Sequence, residues 1–574
     1  MHGRLLFCLS RFPRPHTLSM QQASLKPVSA HARPAAAPAT PRVRTRSADL
    51  AAVGALALAG ALTRLPFVRE TPVNWDAVQL ALALDRFDLR LHQPHPPGYI
   101  LYVALGRALD WAVGSPAVSL ALLSALFGAA ALPLLYLLAM RVFDDRAISW
   151  GAALVVGASP LALYYGATGL TYVPEMALGI AVALAAWRTR AAPRPAEAAL
   201  LGALLGVAGG IRQTGLAVLL PLCVWALWRA SWGARAAFAG VLAAVCAAWA
   251  VPLVAASGGI EAYLRESALL AEVVSENTSL IGAGLAGPAY NLAFIGLALI
   301  VGLGVAVVPL GLWAARLLRF SLARPVRDFL ALWALPPLLM YALTHVGQYG
   351  YLLVVLPPLA ILSAAAARVT GETLVARGKA GRLQPTSIAL AICGAAALFS
   401  AGYFVSAEGP TTASNISHNH DRWQHTRAAL ARFDPANTVL VMEANWAGPF
   451  RLAGYLLPEF RSYALYEREE KGEEARWAYS AHGGRSDYAL PHPAGTPRLQ
   501  LPPGTENVLV LDQETAQRTA VEQPLERIPL DGQGALYRLN GGPGEIRALD
   551  IREGRLVPVY EGEAGNPATN YQGR

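Results

Sequence analysis

Long apolar runs, separated by short polar connections, recur from about residue 48 to residue 405. Many approach the roughly 17 to 25 residues that a helix needs to cross the hydrocarbon core of a bilayer. The pattern therefore predicts about eleven membrane-spanning helices. They lie near residues 48–68, 116–140, 147–163, 172–187, 196–211, 214–228, 236–256, 290–315, 328–343, 350–366 and 387–405.

The composition agrees with a mainly α-helical, polytopic membrane protein. Of the 574 residues, 54% are hydrophobic and only 15% are charged, whereas about 25% are charged in soluble proteins. We predict three regions: a disordered basic tail over residues 1–47, a transmembrane domain over 48–405 with its first outer loop at 69–115, and an α/β domain over 406–574.

The distribution of basic residues predicts the orientation. If the basic tail is cytoplasmic, the inner loops at 141–146, 188–194, 229–235, 316–327 and 368–382 contain 15 arginine and lysine residues, against 6 in the outer loops. This bias follows the positive-inside rule. It accounts for the net charge of +9 without a nucleic-acid partner.

One apolar segment, residues 99–114, is short and contains Arg107 and Asp110. Each charge would be costly near the bilayer centre, and an additional span would place the later basic loops outside. We therefore predict an amphipathic helix in the outer interface. With eleven spans, the C-terminal domain lies outside the cytoplasm of a multi-pass protein in the inner or plasma membrane.

The first outer loop contains an unusually polar stretch, VNWDAVQLALALDRFDLRLHQPHPPGYILY, at residues 73–102. Apolar positions at helical spacing predict a helix over residues 77–91. Asp76 precedes it, with Gln79 three residues later, which is typical of a capping box. A second interpretation is that Asp76 is a catalytic base, and the two roles are compatible. Residues 95–98, His-Pro-Pro-Gly, then interrupt the chain.

The same loop leaves a metal site open as a weaker alternative. His92 and His95 could bind a metal ion together with Asp76 or Asp88, although His-x-x-His spacing before prolines is not specific. Nothing in the sequence requires a metal ion, so we expect no cofactor, and a divalent metal remains compatible with these residues.

This arrangement resembles the GT-C superfamily of membrane glycosyltransferases, which use polyprenyl-phosphate sugars. It is most similar to the branch that contains protein O-mannosyltransferases and lipid A aminoarabinose transferases. The residues that carry the resemblance are Asp76 and the His-Pro-Pro-Gly turn, together with two apolar segments at 124–143 and 146–165. The resemblance covers roughly residues 48–405.

The resemblance implies roles for individual residues. Asp76 corresponds to the catalytic acid of the first loop, and His95 to the turn that contacts substrate. Glu175, in GLTYVPEM, corresponds to a second catalytic carboxylate, although it is equally typical of a helix first turn. Arg212, in GGIRQTG, replaces a lysine of the family and suits a phosphate, although a solvated loop arginine is the alternative.

The sequence departs from the family pattern at Gly350, where relatives often have arginine. This departure leaves Arg212, His345 and Gln348 to bind the phosphate. The resemblance then implies an inverting transfer of a sugar from a polyprenyl-phosphate donor to a hydroxyl on a protein, lipid or glycan acceptor. A general base of this kind contributes typically 10²- to 10⁴-fold.

Two other classes of protein remain open. A transporter or lipid flippase would often have inverted repeats and midplane charges, but we find no clear repeat, and the charges gather in the outer loops. A membrane-anchored binding or sensor protein would leave residues 73–102 unexplained.

The C-terminal region is predicted to contain buried strands in NTVLVMEAN and ENVLVLDQ and a helix in WAGPFRLAGYLLP. A group of histidines near residues 418–425 fits the start of a polar juxtamembrane helix better than a binding site. We expect this domain to bind the acceptor or to shape access to the site.

Overall fold

The structure of the chain is a computed structural model. It describes residues 47–318, 321–443, 450–466, 476–480, 498–517, 525–530, 534–539, 546–552 and 555–560. The predicted basic tail, except for its last residue, lies outside the described residues.

Helices dominate as far as residue 430. The α-helices are α1 (Ser47–Leu62), α2 (Trp75–Asp85), α3 (Ile100–Val113), α4 (Pro116–Phe143), α5 (Arg146–Gly157), α6 (Pro160–Tyr164), α7 (Tyr172–Ala191), α8 (Pro195–Ile211), α9 (Thr214–Leu227), α10 (Trp232–Ala256), α11 (Ile260–Glu276), α12 (Leu280–Ala283), α13 (Ala286–Leu303), α14 (Val307–Ala314), α15 (Arg324–Leu343), α16 (Leu356–Ala376), α17 (Pro385–Ser406), α18 (Ala413–Leu430), α19 (Phe450–Leu456) and α20 (Gln513–Gln517). Short 3-10 helices cover Leu65–Phe67, Leu89–Leu91, Gly304–Ala306 and Tyr349–Val354.

Within the described part of the chain, seven helical segments are long and apolar enough to cross a membrane. They are Ser47–Phe67, Pro116–Phe143, Trp232–Ala256, Ala286–Ala314, Arg324–Leu343, Leu356–Ala376 and Pro385–Ser406. The other four predicted spans also have helical counterparts: α5, α8 and α9 are apolar but shorter, and α7 carries Glu175 and two arginines. The predicted fold class, a polytopic helical protein, is confirmed.

The helix at the start of the first outer loop differs from the prediction. It begins at Trp75 and ends at Asp85, whereas residues 77–91 were expected. Its N-cap is Asn74, whose Oδ1 accepts a hydrogen bond from the Ala77 nitrogen at 3.0 Å. Asp76 lies inside the first turn, so the predicted capping box is wrong.

The second helix of the loop, α3, forms as predicted, and both of its charges have partners. Arg107 donates to the carbonyl oxygens of Leu84 and Ala83, each at 2.8 Å, at the C-terminal end of α2. Asp110 accepts a hydrogen bond from Ser119 at 2.8 Å. Arg107 therefore ties the two helices of the loop together.

The C-terminal region contains two sheets. Its strands are β1 (Thr438–Glu443), β2 (Arg461–Tyr466), β3 (Arg476–Ser480), β4 (Arg498–Gln500), β5 (Asn507–Val510), β6 (Glu526–Leu530), β7 (Gly534–Leu539), β8 (Ile546–Arg552) and β9 (Arg555–Tyr560). The larger sheet has the order β3-β2-β1-β5-β7-β6, and the smaller one has β4-β8-β9. Strands β1 and β2 are parallel and are joined through α19, as parallel neighbours require a crossover. The predicted strands and helix are confirmed.

Helix α18 connects the last span to this region and contacts the beginning of the first outer loop. His420 Nδ1 lies 2.9 Å from the Thr71 hydroxyl, and Asn419 donates to the Pro72 carbonyl oxygen at 2.9 Å. The polar helix predicted after the last span is present as α18.

Candidate active site

The Asp76 carboxylate lies on the first turn of α2 and keeps 27% of its side-chain surface exposed. Its Oδ2 accepts a hydrogen bond from the Gln348 amide at 2.6 Å. The Gln348 oxygen in turn accepts from Asn74 Nδ2 at 3.2 Å. The residue that caps the helix thus also orients the amide that contacts the carboxylate.

His95 lies beside this carboxylate, with its Nδ1 3.9 Å from Asp76 Oδ1. The Gln79 side chain satisfies all of its neighbours when its nitrogen donates to His95 Nδ1. His95 is then a neutral ring whose Nε2–H donates to the Tyr99 hydroxyl at 2.9 Å. Burial lowers the pKa of His95, opposed by the negative charge of Asp76. The ring therefore acts as a hydrogen-bonding group rather than as a cation.

A second group of residues is built around a buried ion pair. Arg212 Nε lies 3.2 Å from Glu175 Oε2, and the two side chains are only 6% and 2% exposed. Glu175 Oε1 also accepts from Thr214 at 3.1 Å, and Arg212 Nη1 donates to Thr171 at 3.0 Å. Arg212 is therefore not the solvated loop arginine of the alternative interpretation.

Three tyrosine rings surround the Arg212 guanidinium. Its central carbon lies 4.6 Å from the ring centroid of Tyr172, 4.7 Å from that of Tyr351 and 5.8 Å from that of Tyr99. Aromatic faces attract a cation more strongly when it is desolvated. These rings stabilise a positive charge at a position from which water is largely excluded.

The ring of Tyr172 leaves no room for a side chain at residue 350, where the sequence departs from the family pattern. A Cβ atom at residue 350 would lie 2.4 Å from a ring carbon of Tyr172. The ring that packs against Gly350 is the same ring that faces Arg212. A side chain at residue 350 and this arrangement of Tyr172 are therefore mutually exclusive without a shift of the backbone or the ring.

His345 lies just before the 3-10 helix at Tyr349–Val354. Its Nδ1 is 3.0 Å from the Thr278 hydroxyl, and its ring packs edge-on against Tyr351. Burial lowers the pKa of His345, and the charge of Asp76 opposes this shift. His345 therefore contacts Tyr351, as Arg212 does. Like His95, it is also affected by the negative charge of Asp76.

All six candidate residues thus fall in one region, and five of them form two groups. Asp76, Gln348 and His95 form the loop cluster, Arg212 and Glu175 form the buried pair, and Tyr99 contacts both groups. A further link is the hydrogen bond from Gln213 to the Pro97 carbonyl oxygen, at 3.2 Å. His345 joins the region through Tyr351.

Sequence reasoning missed the amide and aromatic side chains that orient these groups. They are Asn74, Gln79, Tyr99, Tyr172 and Tyr351. Gln79 was noted only as part of a capping box, and the other four join the site through contacts between residues far apart in sequence.

Asp88 does not approach the histidines in the way the metal alternative needs. Its Oδ2 lies 3.2 Å from both Arg86 and Arg90. No group of three or more histidine, cysteine or acidic side chains arranged to hold a metal occurs among the described residues. The expectation that no metal is required stays a prediction.

The structure is similar to that of ArnT from Cupriavidus metallidurans. The complex bound to undecaprenyl phosphate matches with a TM-score of 0.53 and 13% identity over 86% of this chain and 99% of that chain. The apo state matches with a TM-score of 0.52 and 14% identity over 86% and 100%. The chain is therefore a multi-pass membrane protein with the fold of ArnT.

A family model described as "Protein O-mannosyl-transferase TMEM260 N-terminal domain" matches residues 87–236. This segment contains His95, Glu175 and Arg212, whereas Asp76 precedes it. No curated protein matches the sequence. The resemblance to the GT-C superfamily, including its O-mannosyltransferase branch, is confirmed.

Proposed function

We propose that this protein is an inverting glycosyltransferase that moves a sugar from a polyprenyl phosphate to an acceptor hydroxyl. The observation that carries the proposal is the state of Asp76. Its carboxylate is partly exposed, is released from helix capping by Asn74, and is oriented by Gln348 in the first loop of a GT-C fold. The complex of ArnT with undecaprenyl phosphate supports a polyprenyl donor.

Asp76 acts as the general base. The acceptor oxygen attacks the anomeric carbon while its proton moves to the Asp76 carboxylate, and the bond from that carbon to the phosphate oxygen breaks. The leaving phosphate keeps the electron pair, and the anomeric centre inverts. Gln348 fixes Oδ2, so Oδ1, which faces His95, receives the proton.

Arg212 stabilises the charge of the departing phosphate, and His345 and Gln348 assist it. Preorganised cations in a water-poor site are effective at this task because they need no reorganisation during the reaction. Glu175 holds the guanidinium plane among the tyrosines. Its carboxylate contributes to catalysis through Arg212, since both of its oxygens are engaged.

The reaction takes place on the outer face of the inner or plasma membrane. The basic loops lie in the cytoplasm, and the domain from residue 406 onward lies outside with the first outer loop. A cysteine at Ser480 then reacts with a membrane-impermeant thiol reagent added outside, and one at Thr373 does not. Labelling of the Thr373 cysteine from outside would contradict this orientation.

The decisive experiment measures sugar transfer from labelled polyprenyl-phosphate sugars by the purified protein and its Asp76→Asn variant. Asparagine keeps the size and an acceptor oxygen for Gln348, but it cannot take up a proton at neutral pH. Activity should fall roughly 10²- to 10⁴-fold at unchanged thermal stability. Asp85→Asn, the same change at the other end of α2, is the matched control.

Full activity of Asp76→Asn would reject Asp76 as the base, and transport of lipid without any transfer would favour a flippase. Repeating the assay with EDTA tests the prediction that no metal ion is required. Comparing hexosyl and pentosyl donors, and protein, lipid and glycan acceptors, identifies the substrates.

A further inference from the structure

The C-terminal region reaches the candidate active site through one short helix. Helix α19, Phe450–Leu456, is buried along its whole length and packs against α2. Arg451, its second residue, has no exposed surface and is among the largest fully buried side chains. Burying an arginine is costly unless its charge finds suitable partners, so its surroundings are informative.

Arg451 contacts two residues of the first outer loop, Trp75 and Gln79. Its guanidinium carbon lies 3.8 Å from the centroid of a Trp75 ring. In the amide orientation that satisfies Gln79, the Gln79 oxygen accepts from Arg451 Nη1 at 2.6 Å and from Trp75 Nε1 at 2.7 Å, and its nitrogen donates to His95. The Gln79 amide therefore connects Arg451 to the His95 ring through two hydrogen bonds.

The charge of Arg451 also reaches the two loop histidines. The groups that face His95 are Asp76, which favours its protonated form, and Arg212 and Arg451, which disfavour it alongside burial. Burial, with Arg451 and His95, lowers the pKa of His92 to about 3. Arg451 therefore helps to keep both rings neutral.

We propose that Arg451 is a positioning residue for the loop cluster, and that the C-terminal domain thereby completes the active site. Arg451 fixes the Gln79 amide, which keeps His95 Nδ1 as an acceptor and directs Nε2–H to Tyr99. It also holds the indole next in sequence to Asp76. This role rests on the proposed transferase function.

The test compares the purified, full-length Arg451→Met and Arg451→Lys variants in the polyprenyl-phosphate sugar assay across pH. Arg451→Met should lose roughly 10²-fold, the loss expected for a displacement of about 1 Å, and Arg451→Lys should recover part of it. Without Arg451 one cause that lowers the pKa of His95 is gone, so the acid limb of the pH profile should move to higher pH. Arg432→Met, which removes an exposed arginine stacked on Phe433, is the matched control.

A double-variant cycle with Gln79→Met tests the route of the effect. If Arg451 acts through Gln79, the double variant should be only slightly less active than the less active of the two single variants. An unshifted acid limb in Arg451→Met, or fully independent effects of the two substitutions, would overturn the positioning role in an active enzyme. An unmutated protein that transfers no sugar from any donor would instead overturn the proposed function, and this role with it.

Discussion

The loop cluster and the buried pair each contain one carboxylate of the candidate active site, but the two carboxylates differ in solvent exposure and in the charge of their partner. Asp76 is 27% exposed and contacts a neutral amide. Glu175 is 2% exposed and contacts a guanidinium. A carboxylate with a neutral partner and access to solvent can take up a proton from a substrate, whereas protonating Glu175 would leave Arg212 as an uncompensated buried charge.

The two groups are therefore suited to different tasks. The loop cluster is suited to proton transfer, because its hydrogen bonds orient a base without neutralising it. The buried pair is suited to holding a charge distribution, because ion pair, hydroxyl groups and aromatic faces all fix Arg212 in one place. The predictions that follow test this division, beginning with the substitution of largest expected effect.

Breaking the buried pair should have the largest effect on stability. Glu175→Leu leaves Arg212 buried without its carboxylate, which should lower the free energy of unfolding by about 3–5 kcal/mol. The control is the double variant Glu175→Leu with Arg212→Met, which removes both charges and should be less destabilised than the single variant. Thermal unfolding in detergent measures both, and equal stability of Glu175→Leu and the unmutated protein would contradict the pairing.

Removing the Gln348 amide, which orients Asp76, should lower activity rather than stability. Misplacing a catalytic group by about 1 Å can lower the rate about 10²-fold, so Gln348→Leu should lower the transfer rate roughly 10- to 100-fold. In Gln348→Glu, the like charge of the new carboxylate disfavours the ionised form of Asp76. Its activity should therefore recover toward higher pH, and a profile identical to that of the unmutated protein would argue against the contact.

Filling the space at Gly350 should disturb the buried pair indirectly. In Gly350→Ala the new methyl group meets the Tyr172 ring, and overpacking of this kind costs about 1–3 kcal/mol. Gly394→Ala is a suitable control, since nothing lies within 4 Å of a Cβ atom there. If the two variants are equally stable, the ring of Tyr172 is free to move and does not fix Arg212.

The sequence was sufficient to predict the helical membrane domain, because long apolar segments have few alternatives in a bilayer. It was also sufficient for β1 and β5, which are short apolar runs bounded by polar turns. The ends of the helices in the first loop were harder to predict from the sequence. Asn74 and Asp76 are both good N-caps, and the choice between them depends on how the chain approaches the helix.

The composition of the site could be predicted only where a family motif marked it. His95 and Arg212 belong to such motifs, but the contact of Gln348 with Asp76 joins residues 272 positions apart. Arg451 lies still further along the chain, in a domain with no recognised motif. Contacts of this kind follow from tertiary packing, and neither hydrophobic periodicity nor local spacing encodes them.

The smallest expected effect separates the two neighbouring polar residues at the start of α2. Asn74→Ala removes the cap of α2 and should lower the free energy of unfolding by about 1 kcal/mol, whereas Asn74→Ser should recover most of the loss because serine also caps well. Asp76→Ala should cost less than Asn74→Ala in stability, yet it should lower transfer to the same extent as Asp76→Asn, roughly 10²- to 10⁴-fold. If Asp76→Ala proved the more destabilising of the two alanine variants, Asp76 would have a structural role at the helix start. The assignment of Asp76 as the reactive carboxylate, in contrast to the supporting carboxylate of Glu175, would then be wrong.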